Sequence, residues 1–304
     1  MAISRAQLVK ELEPGLNALF GLEYKRYENQ HAEIYTTESS DRAFEEEVML
    51  SGFANANVKV EGSGVAYDEA QETYTARYTH DTLALAFSIT EEAIEDNLYD
   101  RLASRYTKAL ARSMSNAKQV KAVTPLIDGL PSTDGYDSGD GVSLFNTSHT
   151  TVSGTAVKNT LTTQADLNET SLEQALIDIA AFTDERGLRV AARGVKMIIP
   201  SANQFNAERL MKSQGRTGTA DNDINAIASM GMIPQGYRVN NFLTDSDSWY
   251  IITDVPNGMK MFQRAALKTA MEGDFDTGNV RYKARERYSF GVSDYRGIFG
   301  VEGA

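Results

Sequence analysis

The feature of this sequence that most constrains its fold is a long helical pattern over residues 90–122. Ser88 with Glu91 forms a capping box at its start, and Thr90 is an alternative N-cap. No glycine or proline follows until Pro125. Apolar residues recur at helical spacing, namely Ile94, Leu98, Leu102, Tyr106, Ala109, Leu110, Met114, Ala117 and Val120. At 1.5 Å per residue the helix is roughly 45–50 Å long, far above the mean. Without heptad partners elsewhere, it is predicted to be a strut and not a coiled coil.

The segment before this helix, residues 52–89, has the pattern of a long β-hairpin. Valine alternates with charged residues over 58–61, and glycine and serine supply a turn at 62–64. The alternation of the returning strand changes phase after His80-Asp81. Such a change indicates a bulge or a passage from one surface to another. The outer half of the hairpin has few large aliphatic residues, so we expect it to rest on another surface.

Residues 1–50 give no sign of an independent domain. A short amphipathic segment is interrupted by Pro14-Gly15, and a polar stretch follows at 35–41. This pattern predicts an extended arm that lies on something else.

The rest of the chain alternates between helix and strand patterns. Helices are predicted to begin at Ser171 and at Ser201, the second with Phe205 and Leu210 directed inward. Strands are predicted at 195–199, 237–239, 249–252 and 259–262. A final long strand runs from Val280 to Val292, with an apolar face that only Glu286 interrupts. Its opposite face is basic and consists of Arg281, Lys283, Arg285 and Arg287.

Composition and motifs exclude several classes of site. The chain has no cysteine, which excludes disulfides, zinc fingers, iron–sulfur sites and a thiol nucleophile. It has no phosphate-binding loop and no serine nucleophile motif. The acidic run from Asp134 to Asp140 lacks calcium-loop ligands at the required positions. The three histidines, His31, His80 and His149, are expected to be surface residues. No apolar run is long enough to cross a membrane, and the first residues do not resemble a signal peptide.

The formal net charge of −12 is concentrated at one end of the chain. Residues 1–100 hold 7 Lys/Arg and 20 Asp/Glu (7 − 20 = −13), whereas residues 101–304 hold 23 and 22 (23 − 22 = +1). An acidic segment repels nucleic acid and favours a basic partner surface. On charge alone, the acidic residues are interpreted as a solvated face that only aids solubility.

Three stretches carry a family resemblance. Residues 87–92 (FSITEE) are similar to the entry of the long helix in major capsid proteins of tailed double-stranded DNA bacteriophages. Residues 139–149 (GDGVSLFNTSH) resemble a segment of some phage head proteins, and 287–300 resemble the family's final strand. The order of the elements resembles the same family over nearly the whole chain.

The resemblance implies an α+β fold of the Hong Kong 97 type, with an N-arm, an E-loop hairpin, a peripheral domain with a spine helix, and an axial domain. The expected boundaries are 1–48 for the arm, 49–88 for the E-loop, 89–165 for the peripheral domain with its spine at 90–122, 166–265 for the axial domain, and 266–304 for the rest of the peripheral domain.

The same resemblance implies a structural protein without catalysis, cofactor or metal. Its pentamers and hexamers would form an icosahedral head around double-stranded DNA, without sequence-specific DNA binding. The implied partners are further copies of the chain, a portal protein, a separate scaffolding protein and a decoration protein. On this architecture the acidic residues of the arm and hairpin are expected to meet a basic surface of a neighbouring subunit; they are Glu45, Glu46, Glu47, Glu61, Asp68, Glu69 and Glu72. The candidate basic residues are Arg281, Lys283, Arg285 and Arg287. The implied location is the virion capsid, assembled in the cytoplasm of the bacterial host. Two alternatives remain open, an encapsulin-like nanocompartment shell and a soluble α/β enzyme with an inserted hairpin.

Overall fold

The structure, a computed structural model, describes residues 5–95, 99–133, 135–215, 224–274 and 276–304. It mixes helices with strands. The helices are α1 (Arg5–Arg26), α2 (Glu91–Glu95), α3 (Tyr99–Asp128), α4 (Glu169–Ala180), α5 (Gln204–Lys212) and α6 (Ala226–Met230). The first strands are β1 (Thr36–Ser39), β2 (Phe44–Leu50), β3 (Glu72–Thr79), β4 (Asp81–Ile89), β5 (His149–Thr150) and β6 (Ala156–Val157). The later strands are β7 (Gly194–Ile199), β8 (Tyr237–Val239), β9 (Trp249–Thr253), β10 (Met259–Gly273), β11 (Val280–Val292) and β12 (Ile298–Val301).

The arm begins with a helix, and its prediction as an extended segment was wrong. α1 continues through Pro14 and Gly15 to Arg26. Proline removes one backbone donor from a helix interior, but Pro14 itself is exposed. Leu16 and Phe20 are buried against the middle of α3, and this burial outweighs the missing hydrogen bond.

The predicted long helix is present, with a different end. Thr90 caps α2 by accepting a hydrogen bond from the Ala93 N–H (3.4 Å), while residues 96–98 lie outside the described residues. α3 then passes Pro125 and ends at Asp128, six residues after the predicted end (128 − 122). The continuation buries Val123 and Leu126 in the main core.

The buried face of α3 also differs from the predicted apolar stripe. Tyr106 and Val120 are 48% and 47% exposed. The helix instead buries several small or polar residues between its apolar ones, among them Thr107, Ser115, Lys118 and Gln119. α1 and the first sheet contact α3, and the polar residues on its buried face are not predicted by hydrophobicity alone.

The hairpin is formed by different residues from those predicted. β2 pairs with β3 in antiparallel register from Phe44–Thr79 to Leu50–Glu72. No strand occurs between 51 and 71, so the strand predicted around Val58 was wrong. The predicted passage between surfaces is confirmed, because β4 begins at Asp81 and pairs with β11 in another sheet.

Two four-stranded sheets form the rest of the fold. The first has the order β1-β10-β11-β4, with β1 parallel to β10 and the other pairs antiparallel. The second has the order β12-β9-β7-β8. The predicted strand from Val280 to Val292 is confirmed as β11. β12 was missed, because four consecutive buried residues show no alternation.

The helices α4 and α5 begin close to their predicted positions. Asn168, and not Ser171, caps α4, and the two side chains form a reciprocal capping box. In α5 Leu210 is buried as predicted, but Phe205 is 70% exposed, contrary to prediction.

Among the described residues, the two largest of three hydrophobic clusters share two strands. The large cluster lies around the second sheet and includes Tyr288 and Val292 of β11. The smaller one lies between α1, α3 and the first sheet and includes Tyr282 and Ala284 of the same strand. β10 likewise begins in the large cluster, at Met259, and reaches the smaller one, at Met271. The two long strands therefore join the two cores.

Candidate assembly surfaces

The inner end of the β2–β3 hairpin is fixed to the first sheet. Ala76 and Tyr78 are buried against Phe262 of β10, with the Tyr78 and Phe262 rings 4.7 Å apart. The Tyr78 hydroxyl lies 2.5 Å from Ser293 Oγ. Glu47 accepts hydrogen bonds from the Ser293 hydroxyl and, at 2.5 Å, from Lys260 Nζ. One end of the hairpin is thus held by packing and by a buried cation.

His80 marks the point where the chain leaves the hairpin. Its Nε2 lies 2.9 Å from Ser40 Oγ and its Nδ1 lies 3.0 Å from Ser289 Oγ. Because Ser40 Oγ donates to Glu45 Oε1 (2.6 Å), it accepts from Nε2–H of a neutral ring. Burial, with the positive charge of Arg287, lowers the pKa of His80 and favours this neutral form.

The three histidines were predicted to be surface residues, and all three are buried. His31 is 7% exposed and His80 is 5% exposed. Burial lowers the pKa of His31 to about 4. His149 is fully buried, stacks on Tyr295 at 3.9 Å and lies 2.7 Å from Asp140 Oδ2. The contacts of His31 and His80 join residues that are far apart in the chain, so local patterns do not reveal them. His149 and Asp140, by contrast, both lie in the segment 139–149 that carries the family resemblance.

The loop between the two hairpin strands, residues 51–71, is largely exposed. Asp68 holds the returning half of the loop in place, because the Asp68 carboxylate accepts hydrogen bonds from the Ala54 N–H (2.7 Å) and from Arg186 (3.1 Å). The rest presents apolar side chains to solvent. Phe53, Val58, Val60, Val65 and Tyr67 are 61, 95, 71, 68 and 98% exposed. Five exposed large apolar side chains within one segment favour its use as an interaction surface.

Some of the seven acidic residues predicted at an interface already have a partner within the chain, and others have none among the described residues. Glu47 and Asp68 are bound within the chain, as described above. Glu45 accepts from Ser40, and Glu46 lies 3.7 Å from Arg77 in an exposed pair. The carboxylates of Glu61, Glu69 and Glu72 make no hydrogen bond or ion pair with any described residue, and all three residues are exposed.

The four basic residues lie on one face of the first sheet, as their alternation in β11 predicts. Arg281 pairs with Asp274, whereas Lys283 and Arg285 are exposed and have no ion pair with a described residue. Arg287 is half-buried. Within the described residues of one chain, no hydrogen bond or ion pair joins these four residues to the seven acidic ones.

The side chains of β4 next to the basic residues are short, so they do not cover the cationic groups. The residues of β4 that pair with them in register are Ser88, Ala86, Ala84 and Thr82. A depression of about 580 Å³ lies at the outer end of this face. Its lining includes Ala86, Ala270, Arg281 and Lys283. The cationic groups are therefore accessible to an approaching anionic side chain.

The opposite face of the same strand contains a buried ion pair. Glu286, whose side chain is 1% exposed, accepts from Lys118 Nζ at 3.3 Å, and the Tyr24 hydroxyl of α1 lies 3.4 Å from the same oxygen. Burial raises the pKa of Glu286, an effect that Lys118 partly offsets. The sequence contained one signal of this site, the single charge on an apolar face, since a buried carboxylate requires a partner.

A second buried ionic cluster lies at the junction of the two sheets. Arg296 donates to Glu185 (2.5 Å), to Asp294 (3.2 Å) and to the Thr183 carbonyl (2.8 Å). The side chains of Arg296, Glu185 and Asp294 are 3, 5 and 9% exposed. Sequence reasoning missed this cluster, because Glu185 and Arg296 are far apart in the chain.

These features describe exposed surfaces and the buried contacts that support them. Among the described residues, no group of three or more acidic or histidine side chains is placed to hold a metal ion. No helix in the described parts of the chain is long and apolar enough to span a membrane.

Comparisons with known proteins agree with this description. A family model described as phage capsid protein matches residues 72–301. No curated protein sequence matches the chain at a significant level.

Solved structures show the same fold at low sequence identity. The capsid of a native GTA particle superposes with a TM-score of 0.54 at 14% identity, covering 91% of each chain. The capsid of Myoviridae phage XM1 gives 0.53 at 11% identity, covering 89% of each. A virus-like particle from Pyrococcus furiosus gives 0.52 at 10% identity, covering 94% of this chain and 98% of the other. The fold is thus α+β and of the Hong Kong 97 capsid type, as the sequence resemblance implied.

Proposed function

Since the chain belongs to the phage capsid protein family, we propose that this capsid protein forms the pentamers and hexamers of an icosahedral phage head around double-stranded DNA. Its role is structural, as a shell protein of the capsid. The observation that carries the assembly proposal is the exposed apolar loop at 51–71, whose Val58 and Tyr67 are 95% and 98% exposed. Burial of these side chains against another subunit would remove their apolar surface from water, which favours association.

The proposed division of the subunit follows the sequence boundaries. The arm is 1–48, the E-loop is 49–88, the peripheral domain is 89–165 and 266–304, and the axial domain is 166–265. Residues 1–4, 96–98, 134, 216–223 and 275 within these ranges lie outside the described residues. Two observations refine the proposal. The hairpin begins at Phe44, inside the proposed arm, and β12 pairs with β9 in the sheet of the proposed axial domain.

The proposed partners are those of a phage head. They are further copies of the chain, a portal protein, a separate scaffolding protein and a decoration protein, with assembly in the cytoplasm of the bacterial host. The enclosed DNA would be contacted without sequence specificity. The acidic charge of the hairpin favours protein over DNA as its partner.

The direct test of self-assembly is to express the chain and examine it by sedimentation and negative-stain electron microscopy. Closed shells or ring-shaped pentamers and hexamers support the proposal. A protein that stays monomeric over a wide concentration range, alone and with the phage's scaffolding protein, contradicts it.

The second candidate is an encapsulin-like nanocompartment shell, which the fold likeness to the Pyrococcus furiosus virus-like particle supports. The contents of particles from the native source separate the two candidates. Nuclease-protected double-stranded DNA supports the phage head, and a packaged enzyme without DNA supports the nanocompartment.

We predict that the basic face of β11 promotes assembly. Changing Lys283→Glu together with Arg285→Glu removes two cations that have no ion pair within the described chain. The free subunit concentration at which shells form is expected to rise about tenfold, equivalent to two exposed ion pairs of about 0.7 kcal/mol each. Sedimentation at low and at physiological ionic strength measures this change, which is expected to shrink as salt screens the charges.

The control is Lys108→Glu with Arg112→Glu, which reverses two exposed cations of α3. If both double variants assemble like the parent, the proposed contact between acidic hairpin and basic strand is wrong. If assembly is weakened equally in both double variants, the change in net charge alone explains the effect.

A further inference from the structure

Helix α3 has more positive charge than its contacts within the chain use. Residues 101–127 contain six Lys/Arg and no Asp or Glu, although 42 of the 304 residues of the whole chain are acidic. Lys118 and Lys121 pair with carboxylates of the first sheet, at Glu286 and Asp81. These two pairs account for only part of the positive charge of the helix.

Three of the other cations form one exposed row, which we call the basic stripe. Arg105, Lys108 and Arg112 are all exposed. Their spacing of three and then four residues places them on one side of the helix, over about 10 Å of its length. Within the described parts of the chain, no side-chain hydrogen bond or ion pair joins any of the three to another residue. The basic stripe is therefore available to a partner outside the chain.

The residues beside the basic stripe favour phosphate groups over a protein surface as its partner. Ala109, Ser113 and Asn116 are exposed on the same helix, and none is a large apolar residue. Tyr106 is exposed too, but it lies on another side of the helix, with its ring 5.8 Å from that of Phe87. Protein interfaces gain most of their binding energy from large buried anchors such as Trp and Tyr. Phosphate oxygens accept hydrogen bonds from Arg, Lys, Ser and Asn side chains.

The basic stripe and the basic face of β11 lie on opposite sides of the layer that α3 forms with the first sheet. Leu110 and Met114 of α3 are buried in one cluster with Tyr282 and Ala284 of β11. The basic residues of β11 alternate with Tyr282 and Ala284, so they point away from α3. The basic stripe lies on the side of α3 opposite to Leu110 and Met114, so it points away from the sheet. A neighbouring subunit bound at the basic face of β11 therefore leaves the basic stripe exposed.

We propose that Arg105, Lys108 and Arg112 bind the phosphate backbone of the enclosed double-stranded DNA. This inference rests on the proposed function, because it needs a shell that contains DNA. Contacts to backbone phosphates do not depend on base sequence. Each subunit presents the same stripe, so contacts that are weak singly are repeated over the inner surface of the shell. Because DNA is bound only after it is enclosed, reversal of these charges should leave the assembly of empty shells unchanged.

Site-specific photocrosslinking in DNA-filled particles tests the contact. A benzophenone amino acid replaces Ala109, an exposed alanine next to Lys108. The matched control places the same amino acid at Ala84, an exposed alanine of β4 that pairs in register with Arg285 on the opposite side of the layer. After irradiation and denaturation, the fraction of subunits bound covalently to DNA is measured. We expect at least about tenfold more DNA adduct from position 109 than from position 84.

The outcomes of this experiment separate the inference from the proposed function. DNA-filled particles without a DNA adduct at position 109, or with equal adduct at both positions, overturn the inference alone. Adducts at position 109 with protein only would show that an acidic protein segment covers the basic stripe, and these also overturn it. Particles from the native source that contain no DNA overturn the proposed phage head and this inference together.

The salt dependence of DNA binding by the unassembled subunit gives a second test. Lys108→Gln with Arg112→Gln removes two cations of the basic stripe, and the control, Arg209→Gln with Lys212→Gln, removes two exposed cations of α5. The slope of log binding constant against log salt concentration, measured with a short DNA duplex, should fall in magnitude by about 1.8 in the first variant, about 0.9 for each lost phosphate contact. The control should keep the slope of the parent. No DNA binding by the parent, an unchanged slope in the first variant, or an equal fall in the control would overturn the inference.

Discussion

Replacing Arg296 with alanine is expected to unfold most of the subunit or to leave it barely stable. The change leaves Glu185 and Asp294 buried without their cation and the Thr183 carbonyl without its donor. Removal of one partner from a buried ion pair costs about 3–5 kcal/mol. Since folded proteins are stable by only about 5–15 kcal/mol, the loss is a large part of the total. Soluble yield and urea unfolding of the unassembled subunit measure it.

Two further variants distinguish this ionic role from loss of bulk or of charge. Arg296→Lys keeps the charge but cannot reproduce three hydrogen bonds in a fixed planar arrangement, so it should recover stability only in part. Arg112→Ala removes an exposed arginine of α3 and should change stability by less than about 0.5 kcal/mol. Wild-type stability of Arg296→Ala would show that the cluster has little effect on folding.

The second large effect is expected at the pair Lys118 and Glu286. Lys118→Met leaves a carboxylate that is 1% exposed without its cation, at a cost of about 3–5 kcal/mol near neutral pH. Glu286→Leu removes that carboxylate as well, so the double variant should regain most of the loss. Urea unfolding of the parent, both single variants and the double variant gives the coupling energy of the pair.

The loss of folding stability caused by Lys118→Met is expected to increase as the pH rises. Burial raises the pKa of Glu286 in the folded chain, and removal of Lys118 raises it further. A folded carboxyl with a raised pKa holds its proton where the unfolded one has lost it, so stability falls as pH rises through that window. The variant should therefore be closest to the parent near about pH 4 and furthest from it near about pH 7. A stability difference that is constant with pH would show that Glu286 does not carry the effect.

Sequence patterns predicted well the elements whose partners lie within the chain. β11 has the predicted bounds because its alternation continues for 13 residues. The change of phase after His80 correctly marked the passage of the chain from the hairpin to the first sheet. Both signals depend on local periodicity, which a sequence displays directly.

The features that sequence patterns predicted wrongly, or did not predict, have physical causes. The apolar alternation around Val58 predicted a strand, but a strand requires a neighbouring strand, and a single copy of the chain supplies none there. α1 continued through Pro14 because tertiary packing of Leu16 and Phe20 outweighs a local penalty. The ion pairs of Arg296 and Glu286 join residues far apart in sequence, so only the folded chain reveals them. Of the candidate interface residues, the sequence predicted the shared face of the four cations but not the intrachain partners of Glu47 and Asp68.

The long antiparallel pairing of β10 and β11, which contains two register shifts between Gln263 and Lys268, has a mechanical consequence. Both strands begin in one core cluster and end in the other, so a force that separates the two cores acts along the strand axes. Because each strand is held in both cores, two covalent backbones side by side carry such a force as tension, and the hydrogen bonds between them need not break. In a shell under outward pressure from its contents, tension within each subunit would thus fall on the connection best arranged to resist it. Distortion would then be taken up first by the exposed loop at 51–71 and by the joints between subunits.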